Sequence, residues 1–174
     1  MKAIVDPVDK LFEPLFTGLP KLPHNGRDAL VKAMPWIAGI FGVLQVLAFI
    51  GLVQLAFWAD RFADYANQFS AYSQTAPVGT FSLFLWLSIF VLLIDAVILL
   101  MAVSPLNKRQ KKGWDLLYLG VLINLVYGVI AAFDFYYGGA GRLFGAIISS
   151  SIGFYLLYQI KSQYHAAHHK KESE

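Results

Sequence analysis

Cysteine is absent from the chain, which excludes disulfide staples, thiolate metal sites and a cysteine nucleophile. Charge is scarce as well: Asp, Glu, Lys and Arg together make up 14% of the residues, against about 25% in a soluble globular domain. No histidine falls inside any long apolar stretch, so membrane haem ligation and histidine proton relays lack their usual donor. Also missing are a nucleotide-binding glycine loop, an intramembrane His-Glu zinc motif and a Gly-x-Ser-x-Gly elbow. A hydrolase reading of Ser149 to Ser151 would rest on Asp95 as the only base. The expectation is a non-enzymatic protein that holds no metal and no cofactor.

What the chain has in quantity is apolar residues, 57% of the total, gathered into long runs rather than into the short patterns of a water-soluble core. Four runs are read as spans: 35–58, 81–103, 114–133 and 140–160. Each reaches or exceeds the roughly 20 residues that a helix needs to cross a hydrocarbon core about 30 Å thick. The expected fold is therefore all-α, an integral membrane four-helix bundle over 35–160. It is preceded by a segment 1–34 and followed by a basic, histidine-containing tail 161–174. Acids, prolines and charges fill the first 34 residues, so a cleavable secretory signal is not expected.

Sidedness follows from Lys and Arg, which accumulate on the cytoplasmic side. Lys2, Lys10, Lys21, Arg27 and Lys32 precede the first span; Lys108, Arg109, Lys111 and Lys112 join spans two and three; Lys161, Lys170 and Lys171 follow the fourth. Only Arg61 and Arg142 fall on the other side. Both termini are thus expected in the cytoplasm, in a multi-pass plasma (inner) membrane protein. Net charge is only +3 and the basic residues flank spans, so no nucleic acid is expected as partner. The lipid bilayer is the expected partner, with anionic headgroups at the basic loop 107–112. Trp36, Trp58, Trp86 and Trp114 lie near span ends, where indoles anchor at headgroups.

In the N-terminal segment, Ile4, Val8, Leu11, Phe12, Leu15 and Phe16 recur at helical spacing among Lys2, Asp6, Asp9, Lys10 and Glu13, the pattern of an interfacial amphipathic helix. Pro7 and Pro14 are expected to cut it into short pieces, and Asn25 with Asp28 to start a second short helix ahead of Pro35. On the outer side Trp58, Phe62, Tyr65, Phe69 and Tyr72 step by four and three, predicting a lateral or extended helix with an aromatic stripe. Gln74 to Gly79 returns the chain to span two, and the glycine-rich stretch Tyr136 to Gly141 makes spans three and four antiparallel neighbours. Asp134 and Arg142 flank that turn as a candidate exposed ion pair.

Membrane helices associate through small residues and polar contacts. Gly141, Gly145, Ser149 and Gly153 stand four apart in span four, as do Gly120, Asn124, Gly128 and Ala132 in span three. Each row is read as a packing groove, either within one subunit or at a homo-oligomer interface. Asp95 is the only acidic residue deep in a span, where an ionised carboxylate costs at least about 2.5 to 3.5 kcal/mol. Counting about 1.5 Å per residue from the basic side, Asp95, Asn124, Gln45 and Ser149, Ser150, Ser151 lie at about 13 to 18 Å. That shared depth suggests a polar layer contributed by all four spans. Two readings stay open: a hydrogen-bond network that fixes helix register, or an ion site built on Asp95. Tyr118, Tyr127, Tyr155 and Tyr158 are candidate additional hydroxyls, and His165, His168 and His169 a weak candidate metal set on a solvated tail.

The stretch Lys112-Gly113-Trp114-Asp115-Leu116-Leu117-Tyr118, with Asn124, Tyr127 and the later Ile152-Gly153-Phe154-Tyr155-Leu156-Leu157-Tyr158-Gln159-Ile160, resembles small four-span bacterial membrane proteins of uncharacterised function. The resemblance covers mainly the second half and implies a bacterial plasma membrane setting, with no functional residue to carry over. The leading expectation is a structural, assembly or partner-binding component of a membrane complex. The alternative is a small homo-oligomeric channel or proton/cation-coupled transporter using Asp95.

Overall fold

The computed structural model describes residues 2–73, 83–133 and 139–169. Five helices account for nearly all of them, with no strand among the described residues: α1 (Lys2–Thr17), α2 (His24–Ser73), α3 (Leu83–Asn107), α4 (Lys111–Ala131) and α5 (Gly139–His169). The last four are long and apolar enough to cross a membrane.

Proline does not cut the chain where expected. Pro7 and Pro14 both lie inside the single helix α1, and α2 runs through Pro35 without a separate short helix before it. A proline removes one i to i−4 bond, a local cost that tertiary packing can outweigh. Around Pro35 that packing is evident, since Val31, Met34 and Ala38 are all buried. The result is a helix of 50 residues, about 75 Å long and more than twice the hydrocarbon thickness. The expected aromatic stripe is thus a continuation of the first spanning helix. Trp58, Phe62 and Tyr65 on it are exposed; the side chains of Phe69 and Tyr72 lie outside the described residues.

Neighbouring long helices run antiparallel, because their paired residues step in opposite directions. Between α2 and α3, Gly39 faces Val103, Gly42 faces Leu100, Gln45 bonds Asp95, and Phe57 meets Trp86 edge-on. Gly113 faces Leu106 and Gly120 faces Asp95 between α4 and α3. Gly128 faces Ala146 and Gly153 faces Val121 between α4 and α5. Contact is extensive between chain neighbours α2–α3, α3–α4 and α4–α5, and slight between α2 and α5. A row of four alternating helices brings the start of α2 and the end of α5 to one side, and α1 lies across that side against α4 and α5.

Glycine permits the closest approaches. A Cβ on Gly42 would stand 2.9 Å from Leu100, one on Gly153 3.1 Å from Val121, and one on Gly128 would overlap the Ala146 methyl. The two expected small-residue rows are therefore used unequally. Gly120, Gly128 and Gly153 pack within the subunit, whereas Gly141 and Gly145 face open space.

The core is concentrated at the α1 end. Trp114, Tyr118, Phe154, Ile160 and Tyr164 are fully enclosed there, together with Val5 of α1 and Leu106 of α3. Elsewhere the surface is strongly apolar. Along α2 alone Ile40, Phe41, Leu44, Leu47, Ile50, Leu55 and Phe57 are exposed, whereas a soluble monomer scatters such residues or keeps contiguous apolar patches to a few hundred Å². Lipid satisfies such a surface; water does not.

The α3–α4 turn closes by a Schellman pattern. Gln110 N–H donates to Pro105 O at 2.9 Å and Arg109 N–H to Leu106 O at 3.0 Å, the 6→1 and 5→2 bonds of that motif. The C′ position belongs to Arg109, with φ 50°, where glycine is usual.

Candidate functional site

Two polar centres stand out, one inside the bundle and one where α1 meets it. Inside, Gln45 Nε2 donates to Asp95 Oδ2 at 2.8 Å. Asp95 is buried, and a Cβ on Gly120 would stand 3.0 Å from its Oδ1, so the carboxylate is held between α2 and α4. The other members of the expected polar layer do not reach it. Asn124 is exposed and donates to Gly120 O of its own helix at 3.0 Å. Ser149 is exposed and donates to Ala146 O at 3.1 Å. Ser151 is exposed as well, while Ser150 is buried without a hydrogen-bond partner for its hydroxyl. Similar depth is not enough to join residues; their angle around each helix axis decides, and depth counting ignores it. Of the six residues, the fold joins Gln45 and Asp95.

The second centre is a polar clamp between α1 and α5. Lys161 Nζ lies 2.8 Å from Asp9 Oδ2 and 3.1 Å from Glu13 Oε1, the two acids being one helical turn apart on α1. Tyr158 donates to Asp9 Oδ1 at 2.9 Å, and Lys111 Nζ of α4 reaches Asp6 Oδ1 at 3.3 Å. The Lys161 ammonium also sits over the rings of Trp114 and Tyr158, at 5.7 and 5.3 Å, within cation–π range. Below this layer Phe12 stacks on Phe154 and Phe16 on Tyr158, with centroids 5.2 Å apart in both pairs. The link after α1 is tied down too. Tyr155 Oη and Gln159 Nε2 donate to Pro20 O at 2.9 and 3.1 Å, and Leu22 N–H donates to Gln159 Oε1 at 3.0 Å. Gln163 Nε2 donates to Asp28 at 2.7 Å.

Three expectations are corrected here. Trp114 is not a headgroup anchor: it is fully buried, donates from Nε1 to Leu157 O at 2.9 Å and stacks on Tyr118. Trp36 and Trp58 are exposed as expected of anchors. The α1 helix does not rest on the bilayer by all its apolar residues. Val5, Asp9, Phe12 and Phe16 turn toward the bundle, and Leu11 and Leu15 are left exposed. Finally, Lys111 belongs to the first turn of α4 rather than to a free basic loop. Sequence reasoning passed over Gln159, and treated Asp9 and Glu13 as a solvated face. Their i, i+4 spacing opposite a lysine at the end of span four was the available signal.

Tyr118 is enclosed beside Trp114 and Tyr155 joins the link, whereas Tyr127 Oη is buried without a partner. No group of metal-ligating side chains occurs among the described residues. Asp134, the side chains of Arg142, His165, His168 and His169, and the connection Gln74 to Gly79 lie outside the described residues.

By helix length and composition the fold is that of a multi-pass α-helical membrane protein. No protein-family model, no curated protein and no solved structure matches the chain.

Proposed function

We propose that the chain is a non-enzymatic protein of the bacterial plasma membrane, with both termini in the cytoplasm, that serves as a structural, assembly or partner-binding component. The lopsided distribution of Lys and Arg supports the orientation. The observation that carries the functional reading is the closed state of Asp95. It is buried against Gly120 and bonded by Gln45, while Asn124 and Ser149 turn back onto their own helices. A conducting route needs a succession of polar sites along the membrane normal, and Asn124, Ser149 and Ser151 do not extend this pair into one. Its chemistry suits register fixing between α2 and α3. The free length and uncovered faces of α2 then supply contact surface for a partner. The remaining basic residues there, Lys108 and Arg109 of the α3–α4 turn and Lys112 in the first turn of α4, are exposed and suited to anionic headgroups.

The transporter alternative is favoured by one feature. Asn124, Ser149 and Ser151 face outward beside the open Gly141 and Gly145, where they would line a path only between subunits of a homo-oligomer. Subunit counting in mild detergent, combined with proton and cation flux in proteoliposomes, separates the two. A monomer or a complex with another membrane protein, without flux, is the expected result. A homo-oligomer whose pH-dependent flux disappears in Asp95→Asn, with assembly intact, would replace the structural reading by the transporter.

A further inference from the structure

The α1–α5 clamp encloses a cleft of about 460 Å³, lined by Glu13 and Phe16 of α1, Lys21 of the link, Arg27 of α2, and Tyr158, Gln159, Lys161 and Ser162 of α5. Its charges do not cancel. Lys161 is more than balanced by Asp9 and Glu13, two carboxylates to one ammonium, and Asp28 is engaged by His24 and Gln163. Lys21 and Arg27, in contrast, contact no carboxylate among the described residues. Arg27 Nε is buried with no hydrogen-bond partner, a costly state for a guanidinium N–H unless a ligand accepts from it.

The cleft also sits at a particular level. Its α5 residues straddle the polar end of the last spanning helix, and Leu19, two residues before Lys21 in the link, is exposed. A pair of cations without an ion-pair partner among the described residues, at the polar end of a spanning helix, matches a ligand with an anionic head and an apolar body. We propose that this cleft holds the phosphate headgroup of an anionic phospholipid from the leaflet on which the termini lie, with Lys21 and Arg27 as its cationic anchors. The bound lipid would bridge α1, the link and α2 to α5.

The test uses the full chain in nanodiscs containing phosphatidylglycerol in a phosphatidylcholine background, with retained lipid counted by native mass spectrometry after release into mild detergent. Tightly retained phosphatidylglycerol is expected at about one per chain. Each of Lys21→Gln and Arg27→Gln should lower that affinity roughly fivefold, and the double variant roughly 25-fold, at about 1 kcal/mol per cation near a membrane surface. Arg61→Gln, exposed on α2 and about 50 Å along that helix from Arg27, should leave it unchanged. Lys21 is exposed, so its variant folds normally and keeps the test decisive should Arg27→Gln disturb the helix. Equal retention by wild type and the Lys21 variant would overturn the proposal. So would displacement of the lipid by millimolar glycerol 3-phosphate or inorganic phosphate, which would assign the cleft to a soluble phosphate instead.

Discussion

Substituting alanine for Gly128 tests the packing that orders the bundle. The new Cβ would overlap the Ala146 methyl of α5, and two carbons need about 3.5 to 4 Å between them. The helices must separate, loosening a close approach that has no hydrophobic driving force to restore it in lipid. Overpacking of this kind costs about 1 to 3 kcal/mol, and an overlap of backbone-attached carbons belongs at the upper end because neither can rotate away. Replacing glycine in a helix returns about 1 kcal/mol of propensity. The net expectation is a loss of about 2 kcal/mol. Ala146→Gly alone should cost about 1 kcal/mol through propensity, yet the exchange Gly128→Ala with Ala146→Gly moves one methyl across the interface and should lie within about 0.5 kcal/mol of the parent. That gives a coupling of about 2.5 to 3.5 kcal/mol, well above the additivity of independent sites. Unfolding by SDS titration from mild detergent, followed by the fluorescence of the buried Trp114, measures all three variants. Gly145→Ala, whose Cβ meets nothing within 4 Å, is the control and should be neutral or slightly stabilising. If Gly128→Ala tracks that control, α4 and α5 do not meet at this pair.

Two further perturbations probe the α1 side. Lys161→Met removes the partner of Asp9 and Glu13 where Lys161 and Asp9 are both largely buried, at a cost of about 3 kcal/mol; proteolysis in the link 18–23 should accelerate, with protection partly restored by adding Asp9→Asn, and an unchanged cleavage rate would contradict the clamp. Arg109→Gly relieves the left-handed conformation at φ 50° and should raise stability by about 0.5 to 1 kcal/mol after the unfolded-state entropy of glycine is counted; a lowered SDS midpoint would show that the arginine side chain holds the turn.

The sequence alone was sufficient for the all-helical class, for four helices of spanning length, and for the importance of glycine in their packing. Those features rest on local quantities: run length, mean hydropathy and residue size. The same reasoning singled out Asp95 and proposed Gln45 among its partners, because a carboxylate at that depth requires one. It also grouped Asn124 and Ser149 with Asp95, since depth along an axis is legible in a sequence while rotation about that axis is not.

Chain order and composition therefore determined that these helices are long enough and greasy enough for a bilayer. Only the tertiary structure decided which faces meet: that Gly128 packs while Gly145 stays open, that Trp114 is enclosed rather than anchored, and that α1 is clamped through Asp9 to Lys161. The reason is that burial in lipid rewards every apolar face alike, so the choice among faces falls to shape complementarity and paired polar groups brought together from distant parts of the chain.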